Sequence, residues 1–301
     1  YRKEWSRKRL YNDKRVDGHL MANMSQFDYL IDKIDRVDFS TYPFKHLYLE
    51  NFLSKEHFDI IQSCDEINIP IQKNVRELVE TLIKYDYHPV EFPGCVTDIE
   101  SYIRYCEGDN VRPPEHTREL TEGFGMSMRL AKYSSHIVKE LIDFLNSKFF
   151  LDTIKNKFNR KGEIRVETAI QKYLSGYEIA PHPDIRKKCL TYMLNINTSD
   201  HSEKLNIHTH YMKFKSNKEY IKTYWKENSN VDRCWVPWEW AETSSIQNKN
   251  NSIVFFAPDN DTLHGVKLDY DHLLFQRTQI YGNLWYTKHS KLTPAIWKNL
   301  P

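Results

Sequence analysis

The sequence predicts an α+β protein, a mainly helical preface followed by a β core that closes into a small barrel. Three observations predict it. Apolar residues recur at helical spacing through the first half, and after Lys161-Gly162 the period changes to strand alternation. Beyond that change one strand face carries Glu167, Gln171 and Tyr173, too polar for solid core but suited to a barrel interior that holds a ligand. The organisation read from this is a charged, poorly ordered arm over 1–24 and a single domain over 25–301. The domain divides into a helical preface (25–163), a β core (164–287) with an excursion at 212–250, and a tail (288–301).

Taken in order, the arm is rich in charge and lacks periodicity. FDYLIDKI, following Ser25, has a helical pattern, and FKHLYL (44–49) reads as a short strand. Ser54 is placed to cap a helix whose apolar stripe is Phe58, Ile61 and the neighbouring Ile60. Val75, Leu78, Leu82 and Ile83 mark a helix over 74–85, and Thr97-Asp98-Ile99-Glu100 reads as a capping box opening another through about Tyr105. Glu107 to Phe124 is polar and carries Pro113-Pro114, so it is expected to be loop. Ser135 to Phe149 reads as one helix with Val138, Leu141, Ile142 and Leu145 on its buried side.

The β core is expected to run through IRVETAIQKYL (164–174), KKCLTYMLNIN (187–197) and LNIHTHYMKFK (205–215). In the second of these Leu190, Tyr192, Leu194 and Ile196 share the core-facing side. The excursion holds Trp225, Trp235, Trp238 and Trp240, which either shape a substrate entrance or plug the barrel's flank. The buried run SIVFFAPD and the strand HLLFQRTQIYGNLWY (272–286) complete the core. In the latter Phe275, Arg277, Gln279 and Tyr281 fall on one face, with Arg277 mid-strand among apolar neighbours. A guanidinium there is costly unless it meets an anion.

Composition narrows the function classes. Hydrophobic content of 40% and charged content of 28% are those of a soluble globular protein. A formal net charge of +2 argues against electrostatic wrapping of nucleic acid, which calls for a strongly basic domain. Five scattered cysteines without a C-x-x-C spacing read as reduced thiols, so a cytoplasmic location is expected. No apolar run reaches the ~20 residues that span a bilayer.

The chemistry concentrates between Tyr173 and Tyr286. On an extended segment, side chains at i and i+2 converge, so His182 and Asp184 in APHPD form half a metal site. His264 in DNDTLHGV is the candidate for the second imidazole of a two-His, one-carboxylate face, the donor set of non-haem Fe(II) oxygenases. The rival donors are His208 and His210, also at i, i+2, but they leave buried Arg277 without a role. His201 and His272 lie beside turns and are expected to face solvent.

These residues resemble the Fe(II)- and 2-oxoglutarate-dependent dioxygenases, in particular the prolyl-hydroxylase-like branch. The matching series is Tyr173, Gly176, His182-Pro183-Asp184, Leu194-Asn195, the strand Ser252 to Ala257, His264-Gly265-Val266 and Arg277. The resemblance implies a double-stranded β-helix, jelly-roll or cupin-like, with the N-terminal helices packed outside. It implies that His182, Asp184 and His264 hold Fe(II), that 2-oxoglutarate chelates the metal and meets Arg277 through its distal carboxylate, and that O2 is the third participant. Thr209 and Tyr173 are then second-tier contacts to the cosubstrate, and Asn195 orients it. Asp184 favours hydroxylation over halogenation, because the related halogenases carry a small residue there. Gln279 departs from the pattern, since a Ser or Tyr two positions after the Arg often helps hold the carboxylate. The near-neutral charge and the aromatic excursion favour a small-molecule or sugar-containing metabolite as substrate, hydroxylated with release of succinate and CO2. Peptidyl (prolyl-type) hydroxylation and a non-catalytic metal- or ligand-binding barrel are the alternatives.

Overall fold

The computed structural model describes residues 25–91, 95–108, 111–117, 121–231 and 235–289. The expected arm and all but the first two residues of the expected tail lie outside these. The six helices described in the preface are α1 (Tyr29–Arg36), α2 (Lys55–Ser63), α3 (Val75–Lys84), α4 (Ile99–Glu107), α5 (His136–Leu145) and α6 (Lys148–Lys157). Four short strands are interleaved with them, β1 (His46–Leu49), β2 (Tyr87–Pro89), β3 (Gly123–Phe124) and β4 (Ser127–Leu130). The β-rich half follows with β5 (Ile164–Tyr173), β6 (Glu178–His182), β7 (Lys188–Asn195), β8 (Thr209–Phe214), α7 (Tyr220–Glu227), β9 (Ala241–Ile246), β10 (Ile253–Phe256), β11 (His264–Lys267) and β12 (Arg277–Tyr286).

The strands form two antiparallel sheets. One has seven strands in the order β1-β10-β7-β12-β5-β4-β2, and the other five in the order β3-β6-β11-β8-β9. The helices cover the outer face of the larger sheet, where Leu190, Tyr192, Leu194, Ile170 and Leu284 join Phe27, Phe144 and Phe150 in one apolar cluster. The face expected to be core on β7 is therefore the helix-covered one. The opposite face of the same strands carries the polar residues, as alternation requires. Gly282 is required where these layers meet, because a Cβ there would lie 2.0 Å from the ring of Tyr192.

Several local expectations shift. Ser54 caps α2 by accepting from the His57 N–H, worth about 1 kcal/mol, but Ile60 is exposed and Phe58 and Ile61 alone face inward. On α3 it is Val79, not Ile83, that completes the stripe. The cap of α4 is Asp98, which accepts from the Ser101 N–H, one residue later than the capping box placed it. The single helix expected over 135–149 is two, broken where the Ser147 side chain accepts from the Phe150 N–H and restarts the chain as α6. The excursion is structured, for β9 pairs with β8 as an edge of the five-stranded sheet. Trp225 is buried there with Phe214, Ile221, Val236 and Leu263. Arg277 opens β12 rather than lying mid-strand, because Phe275 and Gln276 precede the ladder. Among the described residues no helix is long and apolar enough to cross a membrane.

Candidate active site

The two sheets enclose a cavity of about 410 Å³. His182 ends β6 and His264 opens β11, and the antiparallel register places them directly opposite each other with ring centroids 4.3 Å apart. Each ring is fixed in the same way. His182 Nδ1 lies 2.8 Å from the Ala180 carbonyl, and His264 Nδ1 lies 2.9 Å from the Thr262 carbonyl. Since a carbonyl only accepts, each Nδ1 carries the proton and each Nε2 keeps its lone pair for a metal. Burial, reinforced by the neighbouring His182, pushes His264 down to about 3, so its ring is neutral at physiological pH.

Asp184 follows with a backbone φ of 72°, a left-handed conformation that a non-glycine residue adopts at some cost and that turns the carboxylate back toward the imidazoles. Its Oδ1 lies 3.8 Å from His182 Nε2. Ligand atoms of His182, Asp184 and His264 all fall within 4.8 Å of one another, and this is the one such group of three among the described residues. Asp184 is further held by Lys188, whose Nζ donates to Oδ1 at 2.5 Å, and by the Thr191 hydroxyl, which donates to Oδ2 at 2.7 Å. Burial alone would raise this carboxyl, but the Lys188 ammonium and then the imidazoles outweigh it and keep the group ionised far below the usual range. Two imidazoles and one carboxylate, each oriented by a second group, fit a divalent iron site.

Arg277 lines the same cavity and is 3% exposed. Its Nη2 donates to the Thr209 hydroxyl at 2.9 Å, and its guanidinium lies 4.6 Å over the Tyr173 ring. No carboxylate pairs with it among the described residues, and burial lowers its basicity. Tyr173, also buried, has its phenol pushed up to about 12 and stays a neutral platform. The structure thus brings together His182, Asp184, His264, Arg277, Thr209 and Tyr173 around one cavity.

Asn195 is a correction. It does not line the cavity, because its amide is spent elsewhere. Nδ2 donates to the Gln247 and Lys249 carbonyls, both at 3.1 Å, and Oδ1 accepts from Gln279 Nε2 at 2.7 Å. It acts by aiming Gln279, which does line the cavity. The rival pair also separates from the site. His208 Nε2 lies 3.3 Å from the Glu203 carbonyl, and His210 Nδ1 lies 2.9 Å from the Thr243 hydroxyl. His272 is buried rather than solvent-facing, with its Nδ1 accepting from the Ser175 N–H. None of the four excursion tryptophans lines the cavity, and Trp238 donates instead to Glu178.

Sequence reasoning missed Lys188 and Thr191. Lys188 stands four residues after Asp184 in a segment that reads as a polar strand entry, and only the reversed backbone at Asp184 turns the two together.

No protein-family model and no curated protein matches the sequence. Among solved structures the chain is similar to a Pseudomonas putida prolyl-4-hydroxylase, at 10% identity over 86% of this chain and 98% of that one, with a TM-score of 0.42. It is similar to a Trichoplax adhaerens prolyl hydroxylase in complex with a hypoxia inducible factor oxygen degradation domain peptide fragment, at 11% identity, 86% and 88% coverage and a TM-score of 0.44. A 2OG-Fe(II) oxygenase family oxidoreductase from Burkholderia pseudomallei matches at 9% identity, 75% and 97% coverage and a TM-score of 0.32.

Proposed function

We propose that this protein is an Fe(II)- and 2-oxoglutarate-dependent oxygenase that hydroxylates a small organic molecule. The observation that supports it most is a pairing within one cavity. A two-imidazole, one-carboxylate donor set lies at one position, and a buried guanidinium without a carboxylate partner among the described residues lies at another. In this reading the two sheets are the walls of a double-stranded β-helix, and 25–301 is one oxygenase domain. His182, Asp184 and His264 hold the iron. Arg277 takes the distal carboxylate of 2-oxoglutarate in a charge-assisted pair, with the Thr209 hydroxyl beside it and the Tyr173 ring beneath.

When bound, the iron and 2-oxoglutarate supply the oxidising chemistry, which consumes O2 and releases succinate and CO2. The chain's own residues do the positioning. The carbonyls of Ala180 and Thr262 lock the two imidazole tautomers, and Lys188 with Thr191 fixes the carboxylate plane. The apolar cluster behind β7 and β12 keeps the wall rigid, and the cavity replaces bulk water with fixed dipoles.

The test is anaerobic titration of the purified chain with Fe(II) and then 2-oxoglutarate, followed by admission of O2 and assay of succinate. A visible absorption band that requires both additions, and succinate that depends on O2, are expected. A protein that binds the metal but neither 2-oxoglutarate nor turns it over is instead a metal- or ligand-binding barrel. His182→Ala is expected to lose both the band and succinate formation.

A further inference from the structure

Beyond the metal and Arg277, the cavity has a second wall built from β4, β5 and the outer end of β12. Gln171 and Arg129 face each other across the β4–β5 ladder. Gln171 is 5% exposed and its Oε1 has no hydrogen-bond partner among the described residues. The Arg129 Nε beside it is likewise unpartnered, although its Nη1 pairs with Glu167 at 2.5 Å. Both residues line the cavity, so an unpartnered acceptor and an unpartnered donor stand on neighbouring strands at its wall. Buried polar atoms left in this state are costly, which marks them as awaiting a partner. Further along the same face, Asn283 pairs with Glu167 in register and Trp285 donates its indole N–H to the Glu167 carboxylate.

Charge selects among ligand classes. The lining residues carry three cations, Arg129, Lys188 and Arg277, and four carboxylates, Glu91, Glu122, Glu167 and Asp184. Arg129 and Lys188 are already matched by Glu167 and Asp184. If Arg277 takes the cosubstrate, no lining cation is left for an anion. A dication with a dianionic cosubstrate adds no net charge, so the loaded cavity stays slightly negative and disfavours phosphorylated ligands. A hydroxyl both donates and accepts, so neighbouring hydroxyls satisfy a wall on which acceptors and donors alternate. A secondary amide offers the same one donor and one acceptor, so the proline-containing peptide is the competing ligand in the test.

Resting on the oxygenase reading, we infer that the substrate is a neutral, hydroxyl-rich small molecule, a sugar or polyol, docked by adjacent hydroxyls on Gln171 Oε1 and Arg129 Nε.

Calorimetry on the anaerobic Fe(II)/2-oxoglutarate complex tests this with D-glucose, D-ribose and myo-inositol, the sugars' phosphates, their 2-deoxy analogues and a proline-containing peptide. At least one neutral polyol is expected to bind and to raise O2-dependent succinate output severalfold. Its 2-deoxy or monodeoxy analogue is expected to bind about tenfold more weakly, since it leaves one of the two wall atoms unpaired. Gln171→Leu is expected to weaken the parent polyol to the level of its deoxy analogue, abolishing the discrimination, and Gln171→Glu, which ion-pairs with Arg129, is expected to do the same. Tighter binding of a phosphate, stimulation by the peptide, equal binding of parent and deoxy ligand, or no polyol binding overturns the inference. Failure of the oxygenase reading shows separately, as absent 2-oxoglutarate binding in wild type before any polyol is added. The same calorimetric panel on the metal-free protein then still decides whether the wall binds polyols.

Discussion

Lys188 and Arg277 are both buried cations in one cavity, yet their surroundings set opposite expectations. Lys188 is matched, 2.5 Å from Asp184 and 2.8 Å from the Tyr281 hydroxyl, whereas Arg277 has a hydroxyl and a ring but no anion among the described residues. Removing Lys188 strands a buried carboxylate, so Lys188→Met is expected to cost the metal-free protein roughly 3 kcal/mol or more. A divalent ion restores the missing charge, so the metal should raise the melting temperature of this variant more than that of wild type. Equal metal-induced shifts would place Lys188 outside the site. Arg277→Met removes the charge that awaits the diacid and leaves the metal donors in place. It should weaken 2-oxoglutarate by about a hundredfold in anaerobic titration while moving iron affinity little, because charge-assisted pairs of this kind contribute on the order of 3 kcal/mol. The paired substitution His208→Ala with His210→Ala should leave metal stoichiometry unchanged, since both imidazoles are engaged away from the triad. The triad and Arg277 were legible in the sequence from residue type and order, although the left-handed backbone at Asp184, rather than an extended i, i+2 segment, brings its carboxylate to the imidazoles. Lys188 was not, because its role depends on the left-handed turn at Asp184, and no residue type signals that turn.

At the scale of elements, β5 carries both kinds of chemistry on its two faces. Glu167, Gln171 and Tyr173 line the cavity, while Lys172 points the other way, fully buried under the helices. There Nζ donates to the Ile67 carbonyl at 2.7 Å and to the Thr278 hydroxyl at 2.9 Å, tying the α2–α3 connection to β12. Burial without a carboxylate pushes its ammonium down to about 7. The unfolded chain holds this proton up to about 10.4, so between the two values the unfolded state binds more protons and stability rises with pH. Below about 7 both states are protonated and the penalty is complete. The stability difference between wild type and Lys172→Met, measured by urea unfolding, should therefore shift in favour of wild type from pH 7 to 10. A difference flat across that window would contradict the assignment. Helix period gave α3 and the buried stripe of α5 from sequence, and strand period gave β5 and β7. The break between α5 and α6 escaped it, because the apolar spacing continues through Asn146 and Ser147 while the backbone is recapped. The short strands β2 to β4 escaped for a different reason, since two to four residues carry too little alternation to separate from loop.

For the molecule as a whole, the site is divided between the sheets. His182, His264 and Thr209 belong to the five-stranded sheet, Arg277 and Tyr173 to the seven-stranded one, and Asp184 lies in the β6–β7 connection that joins them. Binding is consequently expected to be read as stabilisation in two stages. A redox-inert divalent ion such as Zn2+ engages residues from β6, β11 and the connection, and should slow amide exchange there first. Adding 2-oxoglutarate engages Arg277 and Thr209, and should extend protection to β12, its ladder partner β5, and β8. At a free ligand concentration a hundred times its dissociation constant, each stage adds about 2.7 kcal/mol by mass action, so the melting temperature should rise stepwise and fall back on chelation with EDTA. If 2-oxoglutarate protected β12 equally well without any metal, the guanidinium alone would be the binding site and the triad would have no part in holding the cosubstrate. If the metal alone rigidified both sheets at once, Arg277 would already be coupled to the triad, and its pairing with Thr209 would be the link to break.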